Sequence, residues 1–148
     1  MIWKFFIVLL FLIAIDQFIK FEFVEGFVVH GDCISLVLAY NYGVAFSMFE
    51  FLAENLKFLQ IAILAGVAIY LYLNKDIFKE YYLPIAFIFA GGISNIFDRF
   101  IHGAVVDYVY WHCGFDFAIF NLADVLIDIG VIWILWLGYK TSNNKTFI

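Results

Sequence analysis

Residues 120–139 read Phe120-Asn-Leu-Ala-Asp124-Val-Leu-Ile-Asp128-Ile-Gly-Val-Ile-Trp-Ile-Leu-Trp-Leu-Gly-Tyr139, an apolar run whose amide and acid groups are confined to Asn121, Asp124 and Asp128. At about 1.5 Å rise per residue, a helix of this length covers the ~30 Å hydrocarbon core of a bilayer. The three polar side chains fall at i, i+3 and i+7, which is one stripe on one helix face. Lipid cannot satisfy such a stripe, so the stretch predicts a membrane helix whose polar seam faces protein.

Three further runs of similar character lie upstream, and together they predict transmembrane helices over about 3–20, 58–73, 81–100 and 120–139. The fold class expected is an all-α integral membrane protein, with residues 1–148 forming a single membrane domain. Apolar residues make up 66% of the 148, charged residues only 14%, and the mean hydropathy is +1.00, far outside the soluble range. A β-barrel would need alternating strands, whereas these runs are continuous. Asp16 interrupts the place where a cleavable signal peptide would need small residues, so the first run is read as a helix that stays. Pro84 is read in the first turn of the third helix, where its missing N–H costs nothing.

Residues 21–57 and 101–119 are the connections. The first carries acids, glycines and β-favouring stretches (Phe27–Val29, Ser35–Tyr40), which predicts a small β-like extramembrane layer. Its apolar residues Phe46, Met48, Phe49, Phe51 and Leu52 place it against the bilayer surface. Lys4, Lys75, Lys79, Lys140 and Lys145 collect on one side, which the positive-inside tendency assigns to the cytoplasm together with both termini. The acid-rich layer and the aromatic cluster Tyr108, Tyr110 and Trp111 then face outward. No basic patch is available for nucleic acid. Cys33 and Cys113 lack metal-ligand spacing. They stand as a disulfide, as unpaired surface residues, or as ligands joined by His30 and His112.

Ionisable groups within or beside the spans are costly and therefore informative. Asp16 and Lys20, at i, i+4, read as a structural ion pair with Lys20 snorkelling outward. Asp98 and Arg99 read as an anchoring pair, Asn121 as a cap or helix bridge, and Asp128 as a structural acid paired by a neighbour. Asn95 and Arg99, one turn apart, share a face, and Gly91 and Gly92 permit close helix approach a turn deeper. Asp107 and Asp124 are different, because each sits in an apolar stretch with no basic residue one turn away. Two carboxylates in one poorly solvated pocket hold one proton between them, which equips them as general base and general acid for activating water against a peptide carbonyl. No metal or organic cofactor is called for. The rival classes are a proton-coupled transporter or channel, which also uses intramembrane carboxylates, and a non-enzymatic assembly factor. A proton path requires acids spread through the membrane depth, and here only Asp128 is clearly deeper.

Five blocks in order carry a resemblance: Asp16-Gln17-Phe18-Ile19-Lys20; Asn41-Tyr42-Gly43-Val44-Ala45-Phe46-Ser47; Gly91-Gly92-Ile93-Ser94-Asn95-Ile96-Phe97-Asp98-Arg99; Gly103-Ala104-Val105-Val106-Asp107-Tyr108; and Phe120-Asn121-Leu122-Ala123-Asp124. The chain resembles the bacterial lipoprotein signal peptidases, the type II signal peptidases. The resemblance implies a membrane aspartic endopeptidase with Asp107 and Asp124 as catalytic pair. Asn41, Asn95, Arg99 and Asn121 match polar residues around the substrate pocket, with Asp16, Lys20 and Asp98 in supporting roles. It also implies a β-like layer cradling the site and a short surface helix. The protein is expected as a monomer among lipids in the bacterial cytoplasmic membrane, and the lysine asymmetry turns the active site toward the outer face. The implied substrate is a lipid-modified prolipoprotein, cut just before its diacylglyceryl-cysteine. The chain departs from the family pattern at Ser94, where glycine is usual, at Tyr108, where phenylalanine is common, and at Asp128.

The topology is directly testable: single cysteines near Glu25 and Glu54 should react with impermeant reagents from outside the cell, and those at Lys75 and Lys145 should not.

Overall fold

The computed structural model describes residues 1–43 and 52–145. In chain order it contains α1 (Ile2–Val24), β1 (Ile34–Asn41), α2 (Ala53–Leu73), α3 (Lys75–Ile101), β2 (Val105–Trp111) and α4 (Leu122–Lys145). All four helices are long and apolar enough to cross a membrane. Their outward surfaces are apolar, as Trp3, Leu10, Phe11, Ile69, Ile132 and Trp136 illustrate, and the protein is a multi-pass membrane protein.

The helices outrun the apolar windows that reveal them, because hydropathy marks where lipid ends and not where backbone hydrogen bonding ends. α1 continues four residues past position 20, to Val24. Lys20 therefore lies inside the helix and does not snorkel; it is 2% exposed. α2 and α3 are separated by Asn74 alone, whose N–H and side-chain amide both donate to the Tyr70 carbonyl. The polar segment 75–80 is thus the start of α3, where Asp76 and Lys79 form an exposed pair. Pro84 is consequently inside the helix and not in its first turn. Its neighbour across the interface is Gly130 of α4, where a side chain would meet the Pro84 carbonyl at 2.7 Å.

α3 is the central post, packed against α1, α2 and α4. Toward the α2–α3 turn the core is apolar, built from Phe5, Leu9, Leu71, Ile85, Ala86 and Ala90 with Leu126. Small residues set the spacing on two sides: Gly92 lies against Leu64 of α2, and Gly91 against the Ala123 carbonyl of α4. At the opposite end the core becomes polar, with Asp16, Lys20, Ser94, Asn95, Asp98, Arg99 and Asn121 all buried.

Above this polar end sits an antiparallel sheet of β1 and β2, registered from Ile34 opposite Trp111 to Asn41 opposite Val105, with Ala39 opposite Asp107. A register shift falls between Leu36 and Ala39. β1 comes from the expected β-like stretch, but its partner comes from the 101–119 connection, where the run Val105 to Trp111 carries the β-branched and aromatic signal. Cys33 and Cys113 form a disulfide at the end of the sheet beyond Ile34 and Trp111, which decides among the three readings of these residues. The sequence 44–51, with Phe46, Met48, Phe49, Phe51 and part of the stretch assigned to a surface helix, lies outside the described residues.

Gly91→Ala tests the α3–α4 spacing. The new methyl would collide with the Ala123 carbonyl, a backbone atom that cannot swing aside. Thermal unfolding in detergent should show a loss of about 1–3 kcal/mol.

Candidate active site

The polar end is organised by the buried start of α4. The first N–H groups of a helix have no partner within it, and inside a membrane protein water cannot supply one. Here four side chains do so. Asn121 N–H donates to Asp124 Oδ2 (3.2 Å), Leu122 N–H to the Tyr108 hydroxyl (3.0 Å), Ala123 N–H to Asp16 Oδ1 (2.9 Å) and Asp124 N–H to Asn121 Oδ1 (2.9 Å). Asn121 and Asp124 thereby form a reciprocal capping box.

Beneath it lies a buried ionic cluster. The Lys20 ammonium reaches Asp16 Oδ2 at 2.8 Å and Asp98 Oδ2 at 2.7 Å, and donates to Asn95 Oδ1 at 2.9 Å, so its three protons are committed. The Asp16–Lys20 pair expected from i, i+4 spacing is present. The expected Asp98–Arg99 pair is not: successive helical residues diverge, so Asp98 turns toward Lys20 and Arg99 toward Gln60 and the Gly43 carbonyl. Two carboxylates share one ammonium, and the excess negative charge is offset by further donors. Ser94 Oγ donates to Asp16 (2.6 Å), Gln17 to Asp98 Oδ1 (2.7 Å), and the Val106 N–H to Asp98 Oδ2 (3.1 Å). The last bond ties β2 to α3 one residue from Asp107.

Asp107 and Asp124 meet through amides. Asn121 Nδ2 donates to Asp107 Oδ1 at 2.7 Å while the same residue caps Asp124, and Asn95 Nδ2 donates to Asp124 Oδ1 at 2.9 Å. Asn41, at the end of β1, donates to Asp107 Oδ2 at 3.0 Å. All six sequence-expected site residues are thus in one neighbourhood: Asn41, Asn95, Arg99 and Asp124 line a cavity of about 430 Å³ that Gln60 and Asp128 also face, walled by Phe117 to Phe120. Asp107 is 1% exposed and stands behind this lining, joined to it by Asn41 and Asn121. Asp128 corrects its expectation: it is exposed, lines the cavity, and its carboxylate has neither ion pair nor hydrogen bond among the described residues, because it shares the Asp124 face one turn further along α4.

Burial and the neighbouring Asp124 charge raise the Asp107 pKa to about 7, against the lowering effect of the Asn41 and Asn121 amides. An acid protonated near neutrality is thereby placed beside a second carboxyl. Burial also pushes the Tyr108 hydroxyl well above its ordinary value, so it remains a neutral acceptor for the Leu122 N–H. The polar residues that sequence reasoning left without a role are Gln17, Gln60 and Ser94. Ser94 carried a signal, since it stands where the resembled family usually has glycine, and its hydroxyl now proves to be an Asp16 ligand.

A family profile described as Signal peptidase (SPase) II matches residues 8–140. The chain belongs to this family. Lipoprotein signal peptidases similar to it include that of Sulfurimonas denitrificans, 56% identical over 132 residues (88% of this chain, 84% of the relative), and that of Wolinella succinogenes, 53% identical over 123 residues (83% and 84%). That of Helicobacter pylori strain Shi470 is 49% identical over 132 residues (88% and 84%). A bacterial membrane enzyme solved by the in meso method at 2.3 Å superposes with a TM-score of 0.82 at 26% identity, over 98% of this chain and 93% of that one. As a member of the signal peptidase II family, the protein is an aspartic endopeptidase that removes signal peptides from lipoproteins.

The state of Asp107 can be read by infrared titration in detergent. A protonated carboxyl band should vanish with a midpoint near pH 7 and be missing from Asp107→Asn.

Proposed function

We propose that Asp107 and Asp124 are the catalytic pair of this signal peptidase. The observation that carries the assignment is Asn121, which donates to one carboxyl and caps the helix turn bearing the other, at the edge of a cavity. A water held between them loses a proton to the ionised carboxylate as its oxygen attacks the scissile carbonyl. The protonated partner donates to the carbonyl oxygen, and collapse of the tetrahedral intermediate sends a proton to the leaving amine. Asn41, Asn95, Asn121 and Arg99 hold the two carboxyls and the substrate's backbone or ester oxygens. The buried Arg99 Nε has no partner among the described residues and is a free donor for that purpose. Asp16, Lys20 and Asp98 support this layer without touching substrate.

The substrate is a prolipoprotein whose signal helix enters the cavity sideways from the bilayer and is cut just before its diacylglyceryl-cysteine. The enzyme works as a monomer among lipids in the bacterial cytoplasmic membrane, with both termini in the cytoplasm and the cavity toward the outer face. Two features support this orientation: Lys4, Lys75, Lys79 and Lys140 belong to the ends of α1, α3 and α4 away from the sheet, and the sheet carries a disulfide, a bond of oxidising compartments.

Purified protein incubated with a lipidated prolipoprotein tests the assignment. Asp107→Asn and Asp124→Asn should each lower signal-peptide release by about 10³-fold or more with folding intact, and the double variant should be little worse than either single one. A chelator should leave the wild-type rate unchanged. Near wild-type cleavage by Asp124→Asn would overturn the pair.

A further inference from the structure

The sheet holds the two residues that meet at one catalytic carboxyl, Asp107 on β2 and Asn41 on β1, yet its strands are anchored unequally. β2 is fastened to the helical body at several points. Asp98 accepts its Val106 N–H, Asn121 donates to its Val106 carbonyl, the Tyr108 hydroxyl accepts from Leu122, and Val109 bridges to Phe120. The Tyr108 ring also stacks on Phe23 of α1 at 4.4 Å. Among the described residues β1 has fewer such ties. It is held by its ladder to β2, by the bridge from Leu36 to Val29, by the Tyr40 ring beside His102 at the end of α3, and by Arg99 on the Gly43 carbonyl just past its end. A two-stranded ladder alone is marginally stable, and this one is interrupted by the register shift between Leu36 and Ala39.

The Cys33–Cys113 disulfide closes the ladder at the end opposite Asn41. Around it the His112 N–H donates to the Cys33 carbonyl at 2.9 Å, and the Ser35 hydroxyl meets His112 Nε2 at 3.0 Å. It joins residues 80 positions apart in sequence, so it removes much of the freedom β1 would have to leave β2.

We propose that the Cys33–Cys113 disulfide is a positioning element of the active site: it pins β1 on β2 so that the Asn41 amide stays on the Asp107 carboxyl, and its reduction releases that contact. Reduction by a dithiol transfers two electrons and two protons, leaving two cysteine thiols and the oxidised, cyclised dithiol. Neither sulfur touches the dyad, so the effect travels along the ladder. The inference rests on Asp107 being catalytic, and it adds that full activity requires an oxidising environment at the sheet. Asn41 lowers the Asp107 pKa, and losing its hydrogen bond therefore moves the Asp107 titration to higher pH.

The test compares oxidised protein, dithiothreitol-reduced protein and the Cys33→Ser/Cys113→Ser variant, in detergent with a lipidated prolipoprotein. Reduction and the double substitution should each lower kcat by on the order of tenfold. Each should also shift the Asp107 infrared midpoint upward. Asn41→Ala should do the same by itself, and reducing the Asn41→Ala protein should then change kcat less than about twofold, since coupled groups are non-additive. Unchanged kcat and midpoint after complete reduction would overturn the proposal, as would two free thiols in protein purified without reductant. A reduced protein that melts earlier while kcat per folded molecule and the midpoint hold would make the disulfide a staple only, and also overturns it. Cleavage by oxidised Asp107→Asn would instead strike the catalytic assignment, and that arm is read separately.

Discussion

The ammonium of Lys20, buried between the carboxylates of Asp16 and Asp98, is the contact on which the polar half of this protein depends. An uncompensated charge within a membrane bundle is expensive, so each member of the triad must find its partners in fixed places. Those places lie on α1 and α3, and the remaining lone pairs of the two acids reach further, to the Ala123 N–H at the start of α4 and the Val106 N–H of β2. One ionic cluster thereby sets the relative positions of three helices and one strand. It also fixes Asn95, whose carbonyl oxygen accepts from Lys20 while its amide donates to Asp124.

The site is an outgrowth of this constraint. A helix beginning inside the protein needs acceptors for its first N–H groups, and the residues recruited here, Asp16, Tyr108, Asn121 and Asp124, include one of the two proposed catalytic acids and its immediate neighbours. Capping and preorganisation are the same set of bonds. The carboxyl of Asp124 is held by its own backbone turn, and Asp107 is held by amides from β1 and from the α4 cap. Such rigidity suits the proposed reaction, in which the two acids keep a water and a peptide in register. The opposite end of the bundle is apolar and closely packed through glycines, which leaves the polar end as the place where a substrate can be met.

Ser94, where the family pattern usually has glycine, shows how one side chain enters an existing network. A hydroxyl at position 94 gives Asp16 one more donor and receives one from Gln17, extending the cluster without adding charge. The disulfide lies at the far end of the sheet, where it joins β1 to the more firmly anchored β2.

The amino-acid sequence by itself determined four membrane spans, because runs of apolar residues at bilayer length have one outcome in lipid. It also singled out Asp107 and Asp124, because carboxyls in apolar stretches without a basic neighbour require an explanation. The Asp16–Lys20 pair was legible for the same kind of reason, since i, i+4 spacing is a property of one helix. Only the tertiary structure decided that Lys20 is buried and not snorkelling, that Asp98 answers Lys20 and not Arg99, that Pro84 lies within α3, and that Asp128 opens on the cavity with no partner among the described residues. The same holds for the pairing of β1 with β2 and for Cys33 with Cys113. Local periodicity states which face a side chain occupies, but which group on another element arrives opposite that face depends on helix lengths and crossings, and no single segment contains that information.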